Sequence, residues 1–312
     1  VGVAAQLLAD RGELAAADEF FRSRPFFDAE GVTHTLRIES ADRVASVPLV
    51  VREIEDAERA DATSPYGYPG ASVSGAGPAP APSEVDWSAS GLVSIFARER
   101  LSGEPWLAGP TERSRVLIHD PSRPRRLRPR LAEQIRAGER DGWRVEAIPG
   151  PESAPDDRDR FAEAYEQTMH RAGAAERYFF PRAYFDAVLS FERSWLLAAR
   201  RAGDFGAAAI AAVSDGTLHY YLGGTAQHAL DSSPFKNVVA TMLDLADELE
   251  LPLNLGGGVE PGDGLEAFKR GFANGDLPFF TQEVVCEPDE YERLLGGRQG
   301  AGFFPAYRAT SA

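Results

Sequence analysis

The chain has 312 residues, 43% of them hydrophobic, and a formal net charge of −15. This length and apolar content suit two domains of ordinary size, each with its own core. The charge excludes indiscriminate binding to nucleic acids or membrane surfaces, because the long-range field repels polyanions, so a nucleic-acid partner would need a local basic patch.

Apolar runs such as Val47–Val51 and Phe205–Val213 are too short to cross a bilayer. The N-terminal residues lack a basic stretch followed by an apolar core, so no secretory leader is read there. Cys286, the single cysteine, reads as a small buried thiol, and the expected compartment is reducing, the cytoplasm. Of the 33 basic residues, only Lys236 and Lys269 are lysines. Where arginine is the default cation, a retained lysine points to a site that needs a compact ammonium.

In chain order, Leu7–Arg22 is a helix candidate, and Thr33–Glu39 and Arg43–Ile54 alternate like paired strands. Ser64 to Asp86 reads as a long irregular connection, aromatic at Tyr66 and Tyr68 and proline-rich after Gly75. Leu92–Arg98 and Arg115–His119 follow as strands, Arg125–Arg140 as a helix and Trp143–Ile148 as a strand. The Pro149–Pro155 run is the expected domain boundary. Beyond it, Pro155–Ala172 and Pro181–Glu192 read as helices. Strands are expected over Trp195–Arg200, Gly206–Val213 and Thr217–Gly223, the last two joined by an Asp215-Gly216 turn. A strong amphipathic helix, Pro234–Glu250, precedes strand Leu251–Leu255, helix Leu265–Phe272, strand Phe279–Cys286 and helix Pro288–Leu295. The pattern predicts an α/β chain of the α+β kind with mixed sheets, without a coiled-coil arm.

Four segments could carry chemistry. Leu255 to Phe272 leaves a strand, crosses five glycines and enters a helix for which Asp263 and Glu266 have capping-box spacing. On a helical wheel Lys269 shares the inward face of Leu265, Phe268 and Phe272, while Arg270 points to solvent. On Thr217–Gly223, Tyr220 and Tyr221 point to opposite faces, and either could line a cleft. Ser233 is placed to cap the next helix, and Lys236 lies in its first turn, where a cation suggests anion binding or a solvated side chain. Arg171 and Arg177, around the Gly173 turn, could clamp an anion, although Arg171 could equally serve the helix dipole. Finally, Arg123, Arg125, Arg126, Arg128, Arg130, Arg136 and Arg140 form one dense basic run, suited to a phosphate backbone or to a solvated helix face. Histidine and cysteine spacing gives no metal site, and no nucleophile elbow or Walker loop is present.

Taken together, Leu255–Gly258 with Phe268-Lys269-Arg270-Gly271-Phe272 resembles the glycine-loop and Phe-Lys-x-Gly-Phe signature of FemAB/FemX-like proteins. Thr168-Met169-x-Arg171, Gly223-Gly224-Thr225, Ser233-Pro234, Ser64–Tyr68 and the tail Phe303-Phe304-Pro305-x-Tyr307-Arg308 add to the likeness. The resemblance implies two tandem acetyltransferase-like (GNAT) domains, residues 1–150 and 151–296, with about 297–312 returning to complete the first. It further implies an enzyme that transfers an aminoacyl group from aminoacyl-tRNA to an amine acceptor, a peptide or small natural product as in antibiotic biosynthesis, and that needs no cofactor, metal or membrane. Lys269 would act in catalysis. Phe268, Tyr220, Arg171, Arg177, Tyr178, Lys236, Tyr66 and Tyr68 would bind substrates. The first domain has no lysine, which sets this chain apart from relatives that hold a cell-wall nucleotide with one. Acyl-CoA-dependent transfer on the same fold and a non-catalytic binding protein are the alternatives.

Overall fold

The computed structural model describes residues 2–10, 19–55, 57–258, 260, 262–297 and 302–309. The first strands and helix are β1 (Val3–Leu8), α1 (Arg24–Glu30), β2 (His34–Ser40), β3 (Arg43–Glu53), β4 (Ala60–Thr63), β5 (Ser72–Gly75), β6 (Val85–Asp86) and β7 (Leu92–Arg98). Next come β8 (Thr111–His119), α2 (Pro129–Arg140), β9 (Arg144–Pro149), α3 (Pro155–Ala172), α4 (Arg182–Leu189), β10 (Ser194–Arg201), β11 (Asp204–Ser214) and β12 (Thr217–Thr225). The last elements are α5 (Phe235–Glu248), β13 (Leu253–Gly256), α6 (Gly264–Lys269), β14 (Gly275–Val285) and α7 (Pro288–Leu295).

The chain forms two units, one of Val1–Ala17, Glu30–Arg113 and Pro278–Ala312, the other of Asp18–Ala29 and Ser114–Leu277. In the first unit the strand order is β6-β1-β2-β3-β4-β7-β14, with β5 also pairing with β3. Its core joins Leu36, Val47, Leu49 and Ile95, inward residues of alternating strands, with Trp106 from the connection after β7. The tail closes this unit: the Tyr307 hydroxyl meets Ser94 Oγ at 2.8 Å and donates to Asp61 Oδ2 at 2.9 Å, and Arg308 Nε donates to the same carboxylate. Asp61 is fully buried and also takes a bond from Arg52 at 2.8 Å, so its charge is met by two guanidinium groups.

The second unit has the order β8-β13-β12-β11-β10-β9, with β12 and β13 parallel and the other neighbours antiparallel. Its middle strand β11 reads Asp-Phe-Gly-Ala-Ala-Ala-Ile-Ala-Ala-Val-Ser and is buried from Phe205 onward. Alanine is a weak strand former, but small side chains let α3 and α5 pack on the strand. Segment Asp18–Ala29 belongs here: Phe20 packs edge-on to Phe191 and Tyr221, and Arg22 pairs with Asp215 through both guanidinium nitrogens.

Several expectations need correction. The residues read as helix Leu7–Arg22 instead begin in strand β1 and end in a 3-10 turn at Phe20–Arg22, while residues 11–18 lie outside the described residues. The Ser64–Asp86 connection contains two short strands, β5 and β6. The Pro149–Pro155 run does not separate the units, since β9 before it pairs with β10 after it. Helix α2 starts at Pro129, with Arg128 still extended, because a proline disfavours helical backbone in the residue before it. Leu265 is 41% exposed and not part of the inward face of α6. Ser233 does not cap α5; it has φ +48°, and its hydroxyl instead accepts a bond from Lys236 Nζ at 2.9 Å. Cys286 is half-buried, and burial pushes its thiol up to about 12, so it is inert at neutral pH.

Candidate active site

Strands β12 and β13 pair over only two rungs, Leu218 with Leu253 and His219 with Asn254. Beyond them β12 runs on to Thr225, whereas β13 turns away at Gly256, which has φ +74°. Glycine is the residue that takes this conformation without strain. The open end of the strand pair is lined by Tyr220 from β12, Phe235 from α5 and Phe268 from α6. Tyr220 and Phe235 have ring centroids 5.9 Å apart, and Phe235 and Phe268 6.2 Å apart.

Lys269 lies among these rings, only 9% exposed. Its Nζ donates to Gly257 O at 2.8 Å and sits 5.4 Å from the Tyr220 ring centre. A Cβ on Gly256 would lie 3.1 Å from that nitrogen, so the backbone must be bare for the ammonium to approach. Desolvation lowers its pKa to about 8, with nearby Asp263 opposing the shift. Asp263 caps α6, accepting from Glu266 N–H at 2.7 Å and from Glu260 N–H at 3.0 Å, and the Glu266 carboxylate accepts from Gly262 N–H at 2.7 Å. The Asp263 cap read from the sequence is therefore present, while Glu266 bonds Gly262, one residue before the cap, and so does not complete a capping box. Arg270 is exposed and paired with Glu266.

Of the sequence-predicted residues, Tyr220, Phe268 and Lys269 come together here. Lys236 lies one position beyond Phe235 in the first turn of α5; burial and the Arg130 charge beside it lower its pKa. Arg130 is an element of positive charge that the linear β12–α5 connection does not reveal. Tyr221 is buried on the other face of β12, against Phe20, Phe21 and Tyr184. Arg171, Arg177 and Tyr178 are also on that other side. Gly223 backs onto Phe235 and Tyr220, and Gly224, pointing oppositely, onto Ala164 and Tyr165 of α3. There Arg171 ties the end of α3 to Thr225 O and Gln227, Arg177 stacks on Tyr178, and Tyr165 hydroxyl donates to Tyr178 O. Tyr66 and Tyr68 are in the first unit, Tyr66 beside Arg98 and Tyr68 against Phe279.

The basic run divides in two. Arg123 pairs with Asp120, Arg125 with Asp244 and Asp247, and Arg136 and Arg140 with Glu133. Arg126, Arg128 and Arg130 are exposed and have no ion-pair partner among the described residues. Sequence reasoning passes over His219 and Asn254, both buried beneath the glycine turn; the only signal is an asparagine inside the apolar Leu253–Leu255 strand. Among the described residues, no group of His, Cys, Asp or Glu could hold a metal ion, and no helix is long and apolar enough to cross a membrane.

An acetyltransferase (GNAT) domain family matches residues 125–270, which fall within the second unit. In fold the chain is similar to a crystal structure of FemX, at 13% identity over 91% of this chain and 98% of that one, with a TM-score of 0.59. It is also similar to the C-terminal domain (DUF2156) of a putative lysylphosphatidylglycerol synthetase from Agrobacterium fabrum, at 14% identity over 92% and 95%, TM-score 0.58. A third likeness is to L-PGS from Bacillus licheniformis, at 12% identity over 87% and 92%, TM-score 0.56. Comparison with curated proteins gives no match. Residues 125–270 therefore match the acetyltransferase (GNAT) domain family, in a chain whose fold is similar to that of FemX.

Proposed function

We propose that the protein is an aminoacyltransferase that takes its acyl group from aminoacyl-tRNA and forms a peptide bond on an amine acceptor, a peptide or small natural product. The observation that carries this reading is Lys269, a buried ammonium at the open end of β12 and β13 with one carbonyl partner. An aminoacyl ester is already activated, so positioning and charge stabilisation supply much of what the reaction needs. The acceptor nitrogen attacks the ester carbonyl, the C–N bond forms, and the C–O bond to the ribose breaks. Lys269 is mostly protonated at neutral pH, and a pKa of about 8 makes it a better proton donor to the leaving oxygen than an ordinary lysine. The proton that the attacking amine loses as the C–N bond forms returns to the neutral Lys269 amine left by donation to the ribose oxygen, which restores the ammonium; Asp263 is occupied by two backbone N–H groups.

Arg126, Arg128 and Arg130, with Lys236, supply the local positive charge that an RNA backbone needs on an acidic protein. The likeness in fold to a protein named for lysylphosphatidylglycerol, an aminoacylated product, supports an aminoacyl donor. The pair Lys236 and Arg130 at the start of α5 equally suits the phosphates of an acyl-CoA, which makes that the second reading. Incubation with mixed charged tRNAs and, separately, with acyl-CoAs separates the two. RNase-sensitive loss of an aminoacyl group supports the first; RNase-resistant turnover of any acyl-CoA overturns it.

A further inference from the structure

The second rung between β12 and β13 is polar and dry: His219 is 2% exposed and Asn254 is fully buried. Buried polar atoms need partners, and here the partners run in one direction. The Gly256 N–H donates to Asn254 Oδ1 at 2.8 Å. A backbone N–H can only donate, so this bond fixes which end of the Asn254 amide is oxygen. Asn254 Nδ2 then donates to His219 Nδ1 at 3.1 Å, which must carry no proton. The imidazole proton therefore sits on Nε2, facing Ser214 O at 3.3 Å. The ring is held edge-on by Phe21, and the Asp215 charge that acts on it is itself paired with Arg22.

This chain of bonds ends at the turn that holds the ammonium. Gly256, Gly257 and Gly258 have no side chains to set their own conformation, so the direction of the Gly257 carbonyl must be imposed from outside. Asp263 imposes it from the α6 side, where its carboxylate fills the space a Cβ on Gly258 would need. Asn254 imposes it from the strand side. There β13 shifts register against β8 between Asn254 and Gly256, so the sheet ladder alone does not fix the turn.

We propose that Asn254 and His219 are positioning residues for Lys269, fixing through this chain the glycine turn whose carbonyl holds its ammonium. The functional meaning rests on the role given to Lys269 above, but the test does not. The chain has only two lysines, so reductive methylation with a 13C label gives two side-chain signals whose titration NMR follows separately. Loosening the turn admits water to Lys269, and Asp263 is the carboxylate nearest to it. In Asn254→Ala the Lys269 titration is expected to move from about 8 toward the free-lysine value of about 10.4, with that of Lys236 unmoved. His219→Leu, which leaves the Asn254 bond to Gly256 in place, should move it less. If Asn254→Ala fails to fold, Asn254→Leu, close in volume and without an acceptor for Gly256 N–H, is the second variant, and the same upward shift is expected. A folded Asn254 variant in which Lys269 titrates as in the unaltered protein overturns the proposal. So does a Gly256 amide in the unaltered protein that exchanges with solvent at the rate of an open loop. A shifted Lys269 in a protein that transfers nothing would sink the enzymatic reading and leave the positioning intact.

Discussion

Replacing Lys269 by Met is expected to remove transfer and to stabilise the fold. The lysine titrates at about 8 instead of 10.5 because burial disfavours its charge. At roughly 1.36 kcal/mol per pH unit, the folded protein below pH 8 bears about 3 kcal/mol for keeping that ammonium dry. Loss of the bond to Gly257 O returns about 1 kcal/mol, since net hydrogen-bond contributions are of that size, and methionine refills the stem volume. A net gain of about 2 kcal/mol at pH 7 follows from these two effects. The unfolded lysine keeps its proton up to its ordinary value while the folded one sheds it above about 8. The advantage of methionine is therefore constant below pH 8, shrinks between 8 and 10.5, and is mostly gone by pH 10. Guanidinium unfolding of both proteins at pH 7 and pH 10, followed by circular dichroism, measures the difference. A less stable Lys269→Met protein at pH 7, or a gain that is equal at the two pH values, would refute the reasoning.

Gly256→Ala should reduce transfer strongly and cost about 1–2 kcal/mol in unfolding experiments, because its φ of +74° strains any Cβ and that Cβ would press on Lys269 Nζ. Reversing Arg126, Arg128 and Arg130 to Glu should weaken tRNA binding and flatten its salt dependence, by about 0.7–0.9 in log–log slope for each phosphate no longer neutralised. The same change at Arg136 and Arg140, which already pair with Glu133, should do far less in the same filter-binding titration. Arg22→Ala leaves the Asp215 carboxylate without its two-pronged partner and should lower unfolding stability by about 3 kcal/mol. Burial holds the folded-state pKa of His219 near 4, below the ordinary value of 6.5, so the unfolded chain binds the extra proton first. Stability should therefore fall as pH drops from 6.5 to 4, by up to about 3 kcal/mol, and His219→Leu should remove that slope.

The sequence by itself determined the elements whose burial follows a simple period. Helix α5, the hairpin at Asp215-Gly216 and the capped start of α6 are legible because each is written in residues within a few positions of one another. The inward lysine is legible for the same reason, since a helical wheel needs only local geometry. The end of the first strand, Leu7 and Leu8, reads locally as the start of a helix, and the strand's place as a partner of β2 is set by Leu7 opposite Leu36 and Ala5 opposite Ile38, some thirty positions away. Pairing at that distance carries no local mark. The alanine run of β11 likewise declares nothing until α3 and α5 are seen to need small residues beneath them. Only the tertiary structure decided that Arg125 of the basic run is neutralised, because its partners Asp244 and Asp247 lie far along the chain. It also decided which tyrosine faces Lys269, since the register shift of β12 against β11 beside Ile210 and Ala211 sets where each ring points. The link from His219 to the glycine turn is of this kind too. It exists only where two strands meet for two rungs and then part, and each buried polar atom must find its partner across that gap.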